Sequence, residues 1–481
     1  MIGVSPPGNL ASASAWGGGG RRVSNPFICC ALATAVAAWS GLPASRCAAQ
    51  APCLHQKLTA SDGSHDDQFG LGLALRGPLA AIGAFGAKSQ GPFTGKVRIF
   101  ERQGTAWDET TRLTAPGAAQ GDCFGYSIAM SNSLLVVGAP SLFPSEAPGR
   151  VHLFSRVAGE WVHMQRLNGS QAGRGARFGQ SIGVQGTRIV IGSPEDLSPA
   201  DTGKVYVFEL SANDPDEGWS EAAILRASDG AGSDRFGAAV AVSADRILVG
   251  APRHGGGNAG AAYMFRRTPD GQWVEEAKFT GPSGSQAGSA VALSGGLAVI
   301  GRPGGAQSSA AIYRLVGGVW APEQSVSSGG QSFGRAVACA GDTVIIGGRS
   351  DPEYPGANAA RVYRRQAGAW SHTNALSVES PPVPDLFSRT LALNGNVVLV
   401  GANRDGTDHQ NLPGAAYVFG LNGCSYCPAD FDMNGTVDPL DVQAFLVAFT
   451  GGDPVADINT DGVLSSLDVL AFLSAWSAGC E

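Results

Sequence analysis

Charge is what this sequence has least of. Only 15% of its 481 residues are Asp, Glu, Lys or Arg. From Cys424 onward there is no Lys, Arg or His at all, against nine Asp or Glu. Before Cys424, 33 basic residues face 31 acidic ones, so the tail holds the acidic excess of a chain whose net charge is −7. No basic stripe is present to neutralise phosphates, which excludes nucleic acid as an expected partner. Long apolar runs are missing too. The longest candidate, residues 27–39, is 13 residues, too short to cross a ~30 Å hydrocarbon core as a helix, so no transmembrane anchor is expected. Catalytic signatures are also lacking. There is no HExxH, and no Gly-x-Ser-x-Gly stands at a strand-to-helix elbow. The Gly-rich stretch 255–257 stands between strand patterns rather than before a helix, which excludes a phosphate cradle. The seven histidines, His55, His65, His152, His163, His254, His372 and His409, are scattered, and each reads as a surface-loop residue. No catalytic residue is assigned.

Glycine, in contrast, is abundant, at 69 residues. Together with ordinary apolar content it indicates short strands joined by tight turns. At the N-terminus, Arg21-Arg22 precede the apolar run, and Cys47-Ala48-Ala49 follows it. This is the order of a secretory signal peptide, expected to cover 1–49 and to send the protein outside the cell or to its surface. Export permits disulfides. Six cysteines lie beyond residue 49: Cys53, Cys123, Cys339, Cys424, Cys427 and Cys480.

The middle of the chain is periodic. A marker glycine closes an apolar run at Gly83, Gly138, Gly192, Gly250, Gly301, Gly347 and Gly401, a mean period of 53 residues. Each copy reads as four antiparallel strands joined by short turns. In the second copy they fall near 126–130, 134–138, 150–156 and 161–167. The second of these is continuously apolar, as a strand buried on both faces should be. Seven four-stranded units suit a β-propeller. Six copies carry a Trp six residues before an apolar residue in the fourth strand, from Trp107/Leu113 to Trp370/Leu376, and the seventh copy has none. The missing strand is found at 52–58, ahead of the first copy, with the same spacing and the same Thr-Ala that follows Leu113. This complementary truncation predicts a closed seven-bladed ring over 50–423 rather than a linear stack. Cys53 and Cys424 would lie together at its seam and are disulfide candidates, worth ~2–4 kcal/mol. Cys123 and Cys339 read as buried free thiols.

Phe-Gly recurs at 69–70, 124–125, 178–179, 236–237 and 333–334, and Gly-Ala-Pro at 138–140 and 250–252. These residues resemble the FG-GAP repeat, which also builds the integrin α propeller. The fifth copy departs, with Ala287-Gly288 and Gly301-Arg302-Pro303, as does the seventh, with Phe387-Ser388 and Gly401-Ala402-Asn403. Integrin-type blades hold calcium in an Asp-rich loop between the first two strands. The turns here, such as Ser131-Asn132-Ser133, are too short and too poor in carboxylates for a cation that takes six to eight oxygens. No propeller calcium is therefore expected. A binding face is expected on the longer polar segments, 61–68 and 228–235 before Phe-Gly, and 141–149, 253–260, 351–358 and 404–413 after the second strand, with 141–149 foremost.

Residues 424–481 change character. Asp430, Asp432, Asn434, Thr436, Asp438 and Asp441 occupy loop positions 1, 3, 5, 7, 9 and 12, with Gly435 at 6. Twenty-seven residues later Asp457, Asn459, Asp461, Val463, Ser465 and Asp468 repeat the pattern around Gly462. Oxygen donors at this spacing, with a backbone carbonyl at position 7, are what an EF-hand-like Ca²⁺ loop needs. Helices are expected after each loop, the first with Asp438 as cap and Pro439 at its first position, the second capped by Ser465. The segment resembles a dockerin domain. The resemblance implies two Ca²⁺ ions and docking to a cohesin-like protein, with Pro439, Leu440, Ser466 and Leu467 at the recognition positions. Cys427 and Cys480 would clasp the ends of this small domain.

The expectation is thus a secreted, non-enzymatic binding, adhesion or scaffold protein displayed through a calcium-dependent tail. Two alternatives stay open: a dockerin-targeted polysaccharide-active enzyme such as a lyase, and a purely structural surface component. A glycan or protein ligand would bind the propeller loops.

Overall fold

The computed structural model describes residues 52–478 apart from 104–105, 144–146, 196–199, 212–217, 306, 350–358, 379–385, 406–412, 422–428, 430, 432–436, 438, 451–455, 457 and 459–462. The chain divides into a unit Met1–Ala44 and a unit Ser45–Glu481. The expected signal peptide lies outside the described residues.

The seven-bladed propeller of four-stranded antiparallel blades is present. Strand β1 (Cys53–Leu58) stands apart from the sequential order. Blade 1 holds β2 (Phe69–Arg76), β3 (Leu79–Ala84), β4 (Lys96–Gln103) and β5 (Ala106–Leu113). Blade 2 holds β6 (Ser127–Met130), β7 (Leu134–Ala139), β8 (Arg150–Val157) and β9 (Glu160–Leu167). Blade 3 holds β10 (Ser181–Gln185), β11 (Arg188–Ser193), β12 (Lys204–Leu210) and β13 (Trp219–Leu225). Blade 4 holds β14 (Ala239–Ser243), β15 (Arg246–Ala251), β16 (Ala261–Arg267) and β17 (Trp273–Thr280). Blade 5 holds β18 (Val291–Ser294), β19 (Leu297–Arg302), β20 (Ser309–Val316) and β21 (Val319–Val326). Blade 6 holds β22 (Gln331–Ala340), β23 (Thr343–Arg349), β24 (Ala360–Gln366) and β25 (Ala369–Leu376). Blade 7 holds β26 (Thr390–Asn394), β27 (Val397–Ala402) and β28 (Ala415–Gly420), completed by β1, which pairs with β28 from Cys53↔Gly420 to Leu58↔Ala416.

The first strand of each blade is innermost. Each touches the first strand of the next, and β26 touches β2, so the circle closes. Second strands such as β3, β7 and β27 are buried along their whole length, which is why they read as unbroken apolar runs. The antiparallel order gives the ring two ends. Short turns between first and second strands, and between third and fourth, lie at one end. The longer connections, which follow the second strand or lead into Phe-Gly, lie at the other. We call these the turn end and the loop end.

Both glycines of the repeat serve packing between blades. A Cβ on Gly138 would sit 2.2 Å from the carbonyl oxygen of Gly179, the Phe-Gly glycine of the next blade, and one on Gly401 would sit 2.1 Å from that of Gly70. The Phe before it fills the core. Phe69, Phe124, Phe178, Phe236, Phe333 and Phe387 are each at most 1% exposed, and Phe124 meets the third-strand Phe154 edge-on at 6.0 Å. Blade 5 lacks this Phe, and there Phe279, Tyr313 and Trp320 pack together instead.

Polar latches reinforce the contacts. Gln56, Gln165 and Gln324 each exchange two hydrogen bonds with the backbone of the fourth-strand Trp of the following blade, Trp107, Trp219 and Trp370, at 2.8–2.9 Å. Ser61, Ser170 and Ser228 each donate both N–H and Oγ to a glutamate on the next fourth strand: Glu109, Glu221 and Glu275. Ser127, Ser181 and Thr390 donate to the carbonyls of Gly179, Gly237 and Gly70 on the next blade.

Cys53 is disulfide-bonded, and its partner lies outside the described residues, as do Cys424, Cys427 and Cys480. Cys123 and Cys339 are free. Cys123 is buried, and burial pushes its thiol up to about 11, whereas Cys339 is only half-buried. The histidines depart from the surface-loop expectation. His55, His152, His163 and His372 lie in strands, and His152 is 2% exposed with its Nδ1 3.2 Å from His163 Nε2.

In the tail, α1 (Pro439–Thr450) and α2 (Ser466–Ala478) are helices. Their core is a pair of equivalent residues, Phe445 and Phe472, stacked at 4.3 Å and 3° and met edge-on by Phe431. Pro439 opens α1. Ser465 caps α2: its Oγ accepts the Leu467 N–H at 3.1 Å, while Asp468 accepts the Ser465 N–H at 2.8 Å.

Candidate functional site on blades 3 and 4

The repeat brings two kinds of segment together at the loop end: residues before Phe-Gly and residues after the second strand. In blade 4 these are 228–235 and 253–260, both expected to face a ligand. They meet through His254. Its Nδ1 lies 2.7 Å from Asp234 Oδ2, and its Nε2 lies 2.8 Å from Lys278 Nζ. A protonated Lys278 has only hydrogens to offer, so Nε2 accepts and Nδ1 carries the proton donated to Asp234. Lys278 also bonds Asp229, whose other oxygen accepts from Tyr263 OH at 2.8 Å. Asp234 is 4% exposed and also accepts the Ala231 N–H. The hydrogen bond from Lys278 lowers the Asp229 carboxyl below its ordinary range, against the opposing effect of burial. Burial, then the Asp229 contact, raises the Tyr263 phenol far above its ordinary value. The result is a histidine held in one tautomer between a buried carboxylate and an ammonium.

Beside this network lies a basic cluster. Arg235 precedes Phe236, and Arg177 holds the same place before Phe178 in blade 3. Both pair with Glu195, which follows the second strand of blade 3: Arg177 Nη1 lies 3.1 Å from Glu195 Oε2, and Arg235 pairs with Oε1. Arg253 adds a third guanidinium. Burial first, then the charges of Arg253 and Arg177, brings Arg235 down to about 10, and Tyr126 partly offsets this. Tyr126 stands on blade 2 and Arg235 on blade 4. Two side chains a blade apart come within electrostatic reach of each other only near the axis, where the inner strands converge. Tyr126 meets Phe85 of blade 1 edge-on at 5.4 Å.

The other expected loops contribute less. Segment 141–149 begins on Ser141, which is 2% exposed and bonds Asp122, so its start is scaffold. Residues 144–146, 351–358 and 406–412 lie outside the described residues. Among the described residues no group of three or more His, Cys, Asp or Glu is arranged to hold a metal, and no helix is long and apolar enough to cross a membrane.

Of the tail's expected ligands, Asp430, Asp432, Asn434, Thr436, Asp438, Asp457, Asn459 and Asp461 lie outside the described residues. Asp441 and Asp468 are described, each fully buried in the first turn of its helix, while Val463 is exposed. Leu440 and Leu467 are 56% and 57% exposed.

The His254 network was not legible residue by residue, because no short spacing unites 229, 234, 254 and 278. A signal existed all the same. Aligning the copies places 234 and 253, the neighbour of 254, at two positions whose backbones bond in each of blades 1 to 5.

The model of the FG-GAP repeat family matches residues 54–100, 107–154, 161–208 and 219–265. Each match takes the fourth strand of one blade and most of the first three of the next, the frame in which β1 comes first. The chain carries FG-GAP repeats over these residues, within a seven-bladed β-propeller. No curated protein matches it. Among solved structures it is similar to the crystal structure of a protein from Lactobacillus plantarum, at 14% identity, over 65% of this chain and 85% of that one, with a TM-score of 0.44.

Proposed function

We propose that this is a secreted, non-enzymatic binding or scaffold protein. Its propeller presents the loop end to a ligand, and its tail docks through calcium to a cohesin-like partner. The observation that carries the binding reading is the loop-end network of Asp234, His254, Lys278, Asp229 and Tyr263 beside the Arg177–Glu195–Arg235 cluster. The tail reading rests on the duplicated pattern. Buried Asp441 and Asp468 occupy equivalent helix starts, as hard-cation ligands do, and their oxygen chemistry fits Ca²⁺. Asp430, Asp432, Asn434, Thr436, Asp438 and Asp441 would hold one ion, and Asp457, Asn459, Asp461, Val463, Ser465 and Asp468 the other. Bound calcium would fix the two loops and so order the domain. Exposed Pro439, Leu440, Ser466 and Leu467 would then meet the partner. Calcium titration of the chelator-stripped full chain by calorimetry should give two sites, with Asp441→Ala and Asp468→Ala each removing one. No heat from the unmodified chain would overturn the tail reading.

One observation favours a second reading, an enzyme acting on an anionic polysaccharide. His254, oriented by Asp234 and contacting Lys278, has the make-up of a proton-transfer group. A glycan-degradation screen decides between them. Turnover abolished by His254→Ala would establish the enzyme, and its absence across acidic and neutral glycans leaves the binding protein.

A further inference from the structure

The loop-end reading leaves the ligand's chemistry open, and the inference drawn here rests on that reading. Two guanidinium groups, of Arg177 and Arg235, share one carboxylate, that of Glu195, and Arg253, whose N–H bonds the Asp234 carbonyl, brings a third beside Arg235. The Nε atoms of Arg177 and Arg235 are buried without a hydrogen-bond partner. The exposed Arg253 guanidinium makes no hydrogen bond or ion pair among the described residues. The nearby Asp234 turns its Oδ2 to His254 and the Ala231 N–H rather than to an arginine. Three guanidinium groups against the carboxylates of Glu195 and Asp234 leave the recess net positive, and with unused donors it is relieved by an anion. The planar guanidinium fork matches the paired oxygens of a carboxylate or sulfate. Beside it, half-buried Tyr126 and Phe85 present flat apolar surface. A free inorganic anion has no use for such a surface, whereas the C–H face of a sugar ring packs on it.

We infer that Arg177, Arg235 and Arg253, with Tyr126 and Phe85, form a binding site for an anionic saccharide, one whose sugar units carry carboxylate or sulfate. It lies on the loop end, near the axis on which the inner strands converge. Glu195 holds two of the arginines apart and in register, and the ligand's acidic group completes the charge balance.

The test is calorimetric titration of the full chain with oligogalacturonate, a heparin-derived oligosaccharide, a neutral oligogalactoside and polyglutamate. At least one charged saccharide is expected to bind and to weaken as salt rises, and the neutral one is not. Arg253→Ala, an exposed position whose loss leaves the fold intact by circular dichroism, should weaken binding about tenfold or more, and Arg235→Gln likewise. Failure of both charged saccharides to bind overturns the inference, as does binding indifferent to Arg253→Ala, or polyglutamate binding as tightly. If a neutral glycan binds and blade-4 loop changes abolish it, the binding-protein reading survives and this site assignment falls.

Discussion

Two interfaces of the ring invite comparison: the one between blades 2 and 3, each built from consecutive strands, and the seam between blades 7 and 1, where blade 7 is itself assembled from both ends of the chain. They carry the same parts. Gln165 latches Trp219 in one and Gln56 latches Trp107 in the other. Ser170–Glu221 answers Ser61–Glu109. Ser127 donates to Gly179 as Thr390 donates to Gly70. The parallel bridge Gly149↔Phe178 has its counterpart in Phe69↔Gly414. What differs lies inside blade 7, where β1 and β28 come from opposite ends of the chain and Cys53 of β1 is disulfide-bonded. Closure is therefore not a weaker substitute for chain continuity. Moving one strand to the front of the chain reproduces a full interface and adds a covalent tie.

The largest test of this equivalence is steric. Gly401→Ala puts a Cβ against Gly70 O at the seam, and Gly138→Ala does the same against Gly179 O. Each should cost about 3 kcal/mol. Urea unfolding that shows a much cheaper seam variant would break the comparison. Next is acid. Burial first, then the neighbouring His163 and the charges of Arg150 and Arg166, holds His152 down to about 4. Its folded-state pKa lies below the unfolded one, so the unfolded chain binds the proton first. Stability is then complete above about 6.5 and falls by up to about 3 kcal/mol as pH drops towards 4. Blades 3, 4 and 7 carry Tyr206, Tyr263 and Tyr417 at the same register position, so His152→Tyr should flatten the acid limb of a stability–pH curve and leave the neutral end nearly unchanged.

Opening the disulfide by Cys53→Ser should cost about 2–4 kcal/mol and make the seam the first interface to yield to protease. With Cys424 four residues beyond Gly420, which pairs with Cys53, mass spectrometry of the non-reduced digest is expected to recover a Cys53–Cys424 peptide. The smallest effect is that of the latches. Gln56→Ala and Gln165→Ala should each lose about 1–2 kcal/mol, equal within error if the two interfaces are equivalent.

The period, the strand roles and the ring closure were legible because each follows from spacing. Gly83 to Gly401 mark a buried strand every time, and the absent Trp strand in the last copy has its match at 52–58. The latches escaped because they are side chains bonding to backbone across blades. Gln56, Gln165 and Gln324 each stand two residues before the last apolar residue of their strand, a pattern visible only once the copies are aligned for polar residues too. Histidine chemistry escaped for a related reason. His152 and His163 lie on neighbouring strands, and their contact depends on register rather than on separation along the chain. In the tail, spacing located the helices and the Ser465 cap, since both are local.

One plain consequence follows from where the ring begins and ends. Strand β28 runs from the loop end to the turn end, and β1 starts beside its last residue. The polypeptide therefore enters and leaves the propeller on the side away from the arginine recess. Both connections to the ring are thus made at its back, and the face with chemistry to offer is left clear of them.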